Sequence, residues 1–312
     1  MSRTGALLLL AWLALAGLQC TRAVSDRDGS PERSRPETTD YWHRGKAEVS
    51  RFRLEQVRYG QSHRGHAVSI FVKEQFLPAS QVKYDGIETD EDPVTVLKHI
   101  ATRDFYTGIY PYSVMTTVFS PFEANSGHAY KITGTTQDWC GQTFMQLNNW
   151  EGRFAIKYHS YFQAEGDQDF TVDGALLEDD LWSLVRTDPV GLPVGEINLF
   201  PSIHCVQLQI REFYPHEAFA TLEKLFDPTL STDSLYAYTV RYKDIPRTFA
   251  LSFDVDFPHA ILAWEETEDN VAERDGTPPL RTRGVRTHSL MVDYWNRSSV
   301  ADSSYKPLLG LE

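Results

Sequence analysis

The stretch "TTQDWCGQTFMQLNN", Thr135 to Asn149, sets Cys140 between Trp139 and Gly141. A cysteine is a nucleophile only as thiolate, and the thiolate needs a nearby base, a cation or a helix N-terminus. His128 and His159 flank the motif at spacings that define no catalytic pair, and no helical pattern follows it. Two structural roles compete with catalysis. Cys140 can pack beside Trp139 as a small hydrophobe, or it can form a disulfide with Cys205 in an oxidising compartment. Other chemistries find less support. "HRGH" (His63, His66) and "IHC" (His204, Cys205) are the close pairs of soft ligands, whereas zinc sites take three or four. No metal and no cofactor are therefore expected. There is no phosphate-cradling glycine loop and no Gly-x-Ser-x-Gly elbow. Nothing selects two of the 43 acidic residues as a glycosidase pair. The acidic runs "DGIETDEDP" and "EGDQDFTVDG" lack calcium-loop spacing and read as solvated loops. The catalytic residues of any enzyme here are thus unknown. A hydrolase or thiol enzyme using Cys140 remains an alternative to a non-enzymatic role.

A second feature is aromatic. "FYTGIYPYSVMTTVF" gathers Phe105, Tyr106, Tyr110, Tyr112 and Phe119 around Gly108 and Pro111. Tyrosine and tryptophan offer an apolar body with a polar tip. Tyr110, Tyr112 and Trp139 are the candidates for the wall of an apolar ligand cavity, with sheet core as the competing reading.

The elements that must position these residues are mostly strands. In "LYAYTVRYK" Tyr236, Tyr238, Val240 and Tyr242 share one face, and in "TFALSFDVDF" Phe249, Leu251 and Phe253 do the same. The short Asp244-Ile245-Pro246 link makes the two an antiparallel hairpin. Alternation recurs in "AEVSRFRLEQVRYG", "AVSIFV", "SVMTTVF", "AYKITGTTQDW", "QTFMQLNN", "RFAIKYHSYF", "VQLQIRE", "HAILAWEE" and "VRTHSLMVDYW". One helix stands out near residues 176–186, where Leu177, Leu181, Leu184 and Val185 form a stripe that Pro189 stops. The fold expected is mainly β: a large antiparallel sheet system, curled or barrel-like, with that one short helix. It occupies residues 40–312 as a single domain, or as two β lobes split near 175–194.

The N-terminus points to export. Arg3 precedes the uncharged run "ALLLLAWLALAG", which is too short to span a bilayer, and a polar stretch follows at once. Residues 1–19 read as a signal peptide and 20–39 as a flexible tether. "LAGLQC" resembles a lipobox that would lipidate Cys20, and cleavage after Ala16 or Ala23 is the alternative. The formal charge of −13 argues against nucleic acid, whose binding requires clustered Lys and Arg.

At "GIYPYSVMTTVFSP", "DWCGQTFMQLNN" and "SYFQAEGDQ…LLEDDLWSLVR" the chain resembles an uncharacterised family of exported bacterial proteins, many of them lipoproteins. Some members carry the label "septum formation inhibitor", but the Ser-Pro-Arg stretch of the genuine inhibitors is missing here. The resemblance implies an envelope location and transfers no catalytic residue. The expectation is an exported protein of periplasm or outer membrane, held by a lipid anchor. It binds a hydrophobic small molecule or an envelope protein, or serves as a structural or assembly factor.

Overall fold

The computed structural model describes residues 40–123, 127–209, 212–267 and 280–311. The expected signal peptide and tether, with Cys20, lie outside the described residues. The strands are β1 (Ala47–Arg58), β2 (Gln61–Leu77), β3 (Val82–Lys83), β4 (Val94–Thr107), β5 (Tyr110–Pro121), β6 (Lys131–Gln137), β7 (Gln142–Trp150), β8 (Arg153–Ser160), β9 (Gln168–Asp173) and β10 (Leu176–Leu177). Helix α1 (Glu178–Thr187), β11 (Gly195–Phe200) and helix α2 (Ile203–Gln209) follow. The chain ends with β12 (His216–Leu225), β13 (Leu235–Tyr242), β14 (Thr248–Asp254), β15 (Ile261–Thr267) and β16 (Arg281–Val292).

All these strands belong to one 16-stranded sheet, ordered β10 to β16, then β1, β2 and β4 to β9, with β3 beside β2. The pairing is antiparallel except between β10 and β11. The first and last long strands pair at its centre, Ala47 opposite Val292. The expected hairpin is present, with Tyr238 opposite Leu251 and Val240 opposite Phe249.

The sheet does not close, but it curls. On the sheet path β4 lies five steps from β14, which is about 24 Å in a flat sheet. Yet Trp182 of α1 stacks on His99 of β4 at 5.2 Å and meets Phe249 of β14 at 6.2 Å. Only a curled sheet brings both strands to one indole. The helix therefore lies in the hollow, and its charged residues are satisfied by the walls. Asp180 accepts from Ser120 Oγ at 2.5 Å and from the Ala129 amide at 2.7 Å. Arg186 forms a two-pronged pair with Glu48 of β1 at 2.6 and 2.5 Å.

Two expectations are corrected. "VQLQIRE" is not a strand: Ile203–Gln209 is helical, and Ile203 through Leu208 are all buried. A segment buried on every side shows no face from which to read its period. Gly134 of β6 admits this helix, because a Cβ there would lie 2.3 Å from Ile203 Cγ2. The hollow is also not a large apolar cavity. With both helices inside, the void walled by Phe52, Trp182 and Trp264 measures about 30 Å³, small beside the roughly 300–1,000 Å³ of a ligand site.

Candidate functional site

Antiparallel register puts one set of turns at a common end. Arg58 faces Gln61, Glu55 faces Arg283, Thr267 faces Arg281 and Thr248 faces Thr267. The β1–β2, β4–β5, β6–β7, β8–β9 and β13–β14 turns therefore share this end. A crevice of about 370 Å³ opens there, lined by Gln56, Arg58, Tyr59, His204, Cys205, Arg247, Glu266 and Thr282, with Leu208 and Leu280 among its apolar contacts.

The floor of the crevice is a buried network. Arg247 donates Nη2 and Nε to Glu178 at 2.5 and 3.0 Å, and the Tyr242 hydroxyl donates to the same carboxylate at 2.7 Å. Arg103 donates to Glu266 at 2.5 Å and to Gln56 at 3.3 Å, and it lies 4.2 Å over the Trp264 ring. Gln56 in turn donates to Thr282 at 3.1 Å. His204 Nε2 is 3.1 Å from Glu266. Burial, with the Arg103 and Arg247 charges, holds the His204 pKa below its ordinary value despite Glu266. The neutral ring must therefore donate Nε2–H to that carboxylate. Burial alone would raise Glu266, but Arg103, His204 and Arg247 hold it well below its ordinary value.

Two guanidinium donors of the crevice lining are left over, Arg58 Nε and Arg247 Nη1. Arg247 Nη1 has no hydrogen-bond partner, although the side chain is 1 % exposed. Glu266 is 3.6 Å away, beyond hydrogen-bond reach. A buried cationic N–H without an acceptor costs free energy, and an acceptor entering the crevice would relieve that cost.

Beside the crevice stands an aromatic rim. Arg58 lies 4.6 Å over Tyr59 and 5.4 Å over Tyr112, and it donates to the Leu208 carbonyl. The Tyr59 and Tyr112 hydroxyls bond at 2.6 Å. Burial would raise the Tyr59 phenol, but Tyr112, Tyr110 and the Arg58 charge lower it below its ordinary value. Tyr110 is 5.8 Å from Tyr112 and 6.5 Å from Trp139, centroid to centroid. The structure thus brings Tyr110, Tyr112 and Trp139 together at one end, with Tyr112 stacked on Phe105 of the core at 5.0 Å and Tyr110 packed against that core. Tyr112 is buried, whereas Trp139 is 70 % exposed.

The "DWCG" motif is a turn. Asp138 accepts from the Cys140 and Gly141 amides at 2.6 and 3.2 Å, and its own amide donates to the Gly141 carbonyl at 3.0 Å. Gly141 lies against the Tyr161 ring, where a Cβ would come within 2.7 Å. Cys140 is exposed in this turn and Cys205 is buried on α2, and both are thiols. Of the two structural roles open to Cys140, the disulfide with Cys205 is not formed, because one cysteine sits on the outer rim and the other inside the curl. The histidines near Cys140 are engaged elsewhere: His128 packs against Phe154, and His159 pairs with Asp167 at 3.4 Å. His63 and His66, three apart on β2, point to opposite faces. Among the described residues no three His, Cys, Asp or Glu side chains gather as a metal site. No described helix is long and apolar enough to cross a membrane.

Sequence reasoning missed Arg58, Arg247, Glu266, Arg103 and Glu178. Parity carried a signal for two of them. Arg103 shares its face with buried Phe105, and Glu266 shares its face with buried Trp264. Arg247 precedes β14 in a turn and carried none.

No family model and no curated protein match the chain. Among solved structures it is similar to a beta-barrel-like protein from Brucella abortus with a domain of unknown function, DUF1849. That likeness has a TM-score of 0.44 and 9 % identity, and it covers 79 % of this chain and 97 % of the other.

Proposed function

We propose that the protein is an exported envelope domain that binds a small acidic ligand without turning it over. The observation that carries the reading is Arg247, a buried arginine with an unpartnered Nη1 in a crevice of about 370 Å³. That volume lies within the range of small-molecule sites, which is roughly 300–1,000 Å³. The crevice has apolar walls at Val57, Leu208 and Leu280, but Arg58, Arg247 and Glu266 put charge among them, which a wholly apolar ligand would desolvate without compensation. Binding is favoured over catalysis because His204 is committed to Glu266, and Cys140 stands apart on an exposed turn. Export and a lipid anchor rest on the apolar run from Ala6 to Gly17 and on Cys20.

Alkylation kinetics test the crevice. Cys205 lines it and Cys140 does not. Cys205 is buried and reacts only when the crevice opens, so a bound dicarboxylate should slow its modification and leave that of exposed Cys140 unchanged. Equal rates with and without the acid, across a panel of carboxylates and phosphates at saturating concentration, would overturn the reading. Native mass spectrometry of the protein extracted from its own membranes tests the anchor. A diacyl or triacyl mass is expected, and an unacylated mass refutes it.

A further inference from the structure

The crevice and the rim are joined by Arg58 and Tyr59, which line the one and stack in the other. Tyr59 lines the crevice, bonds to Tyr112 and leads through Tyr110 to Trp139. Across the β6–β7 turn, the Tyr161 ring covers Gly141. Tyr59, Trp139 and Tyr161 are 63, 70 and 46 % exposed, so their rings stand open to solvent. Their surroundings are polar: the Tyr59 hydroxyl, the Asp138 carboxylate and the Arg58 guanidinium all lie among them. An acyl chain would strip water from these groups and offer them no hydrogen bond in exchange. A ligand with apolar C–H faces and many hydroxyls would satisfy rings and polar tips together.

We propose that the acidic ligand is an oligosaccharide carrying a carboxylate. Its acid group enters the crevice against Arg247 Nη1, and its neighbouring sugar rings stack on Tyr59 and Trp139. This rests on the crevice as an anion site and adds the identity of what carries the anion.

Calorimetry on the full chain with three probes separates the two claims. Trigalacturonate has acid and rings, its methyl ester has rings without charge, and tricarballylate has acid without rings. Trigalacturonate should bind tightest, with each of the others weaker by roughly tenfold or more. Trp139→Ala removes an exposed side chain and leaves the fold in place. It should weaken trigalacturonate by about tenfold, the scale of an aromatic anchor, and leave tricarballylate unchanged. Tricarballylate binding as tightly as trigalacturonate, with no effect of Trp139→Ala, overturns the saccharide and leaves the anion crevice standing. Ester and acid binding equally overturns the crevice itself. Binding of none of the three at about 10 mM overturns both.

Discussion

Removing the Glu48 carboxylate should be among the most costly single changes in the protein. Arg186 on α1 is completely buried, and Glu48 on β1 is nearly so. The guanidinium uses Nη1 and Nη2 on Glu48 and Nε on the Pro258 carbonyl at 3.0 Å. It is boxed in by the Trp42 and Phe71 rings at 5.2 and 4.9 Å, which keep bulk solvent from it. Glu48→Ala leaves a desolvated charge alone, which costs about 3–5 kcal/mol. With a urea m-value of about 3 kcal/mol/M, the denaturation midpoint should fall by about 1–1.7 M. The double variant Glu48→Leu/Arg186→Met removes both charges and should recover most of that loss. The pH dependence has a definite sign. Burial alone would raise the Glu48 carboxyl, but Arg186 outweighs it and holds the pKa below its ordinary 4.5. The stabilisation is therefore fully present above the unfolded value of 4.5 and is lost as pH falls through the lower folded value. Glu48→Ala should flatten the acid limb of the stability curve. A cost below about 1 kcal/mol, typical of an exposed pair, would mean that Arg186 reaches water, and the packing described here would be wrong.

Trp182→Ala, which removes the indole bridging β4 and β14, should cost about 3–5 kcal/mol in chemical denaturation, and a loss under about 1 kcal/mol would contradict the curl. Gly134→Ala should destabilise by about 1–3 kcal/mol, and Ile203→Ala in the same chain should restore part of it by clearing the Cγ2 that the new Cβ meets. Burial pushes Asp179 up to about 7, against the amide bond from Ile203 and aided by Glu178 and Asp180. The folded protein then holds a proton that the unfolded chain has lost, so this term weakens stability as pH rises from 3.8 to 7. Asp179→Asn should remove that slope, and parallel wild-type and variant curves would refute the assignment. Cys140→Ser, on its exposed turn, should shift stability by no more than about 0.5 kcal/mol in a thermal melt.

The strands were legible because an antiparallel sheet with one packed face writes its period into the chain. Phe249, Leu251 and Phe253 are buried while Thr248, Ala250 and Ser252 are less so, which is the alternation itself. Helix α1 was legible near 176–186 because its leucines keep helical spacing and Pro189 ends it. Helix α2 was hidden: Val206 and Leu208 fit a strand as well as a buried helix, and only the partner surface at Gly134 decides. The rim was half legible. Tyr110, Tyr112 and Trp139 were chosen for their chemistry and do assemble, but which end of the sheet they would occupy depended on register. The crevice was hidden because its residues come from β1, α2, the β13–β14 turn, β15 and β16, and no local pattern links them.

The filling of the hollow restricts where a ligand can bind. Each charged group of α1 is tied to a different partner: Glu178 to Arg247, Asp179 to the Ile203 amide of α2, Asp180 to β5 and Arg186 to β1. A ligand that displaced the helix would have to separate both buried pairs, Glu178–Arg247 and Glu48–Arg186. At about 3–5 kcal/mol for each broken pair, that is about 6–10 kcal/mol, comparable with the entire stability of an ordinary domain. Opening the centre of this sheet is therefore nearly equivalent to unfolding it. The proposed acidic ligand is left the end where Arg247 lines the crevice with Nη1 still lacking an acceptor.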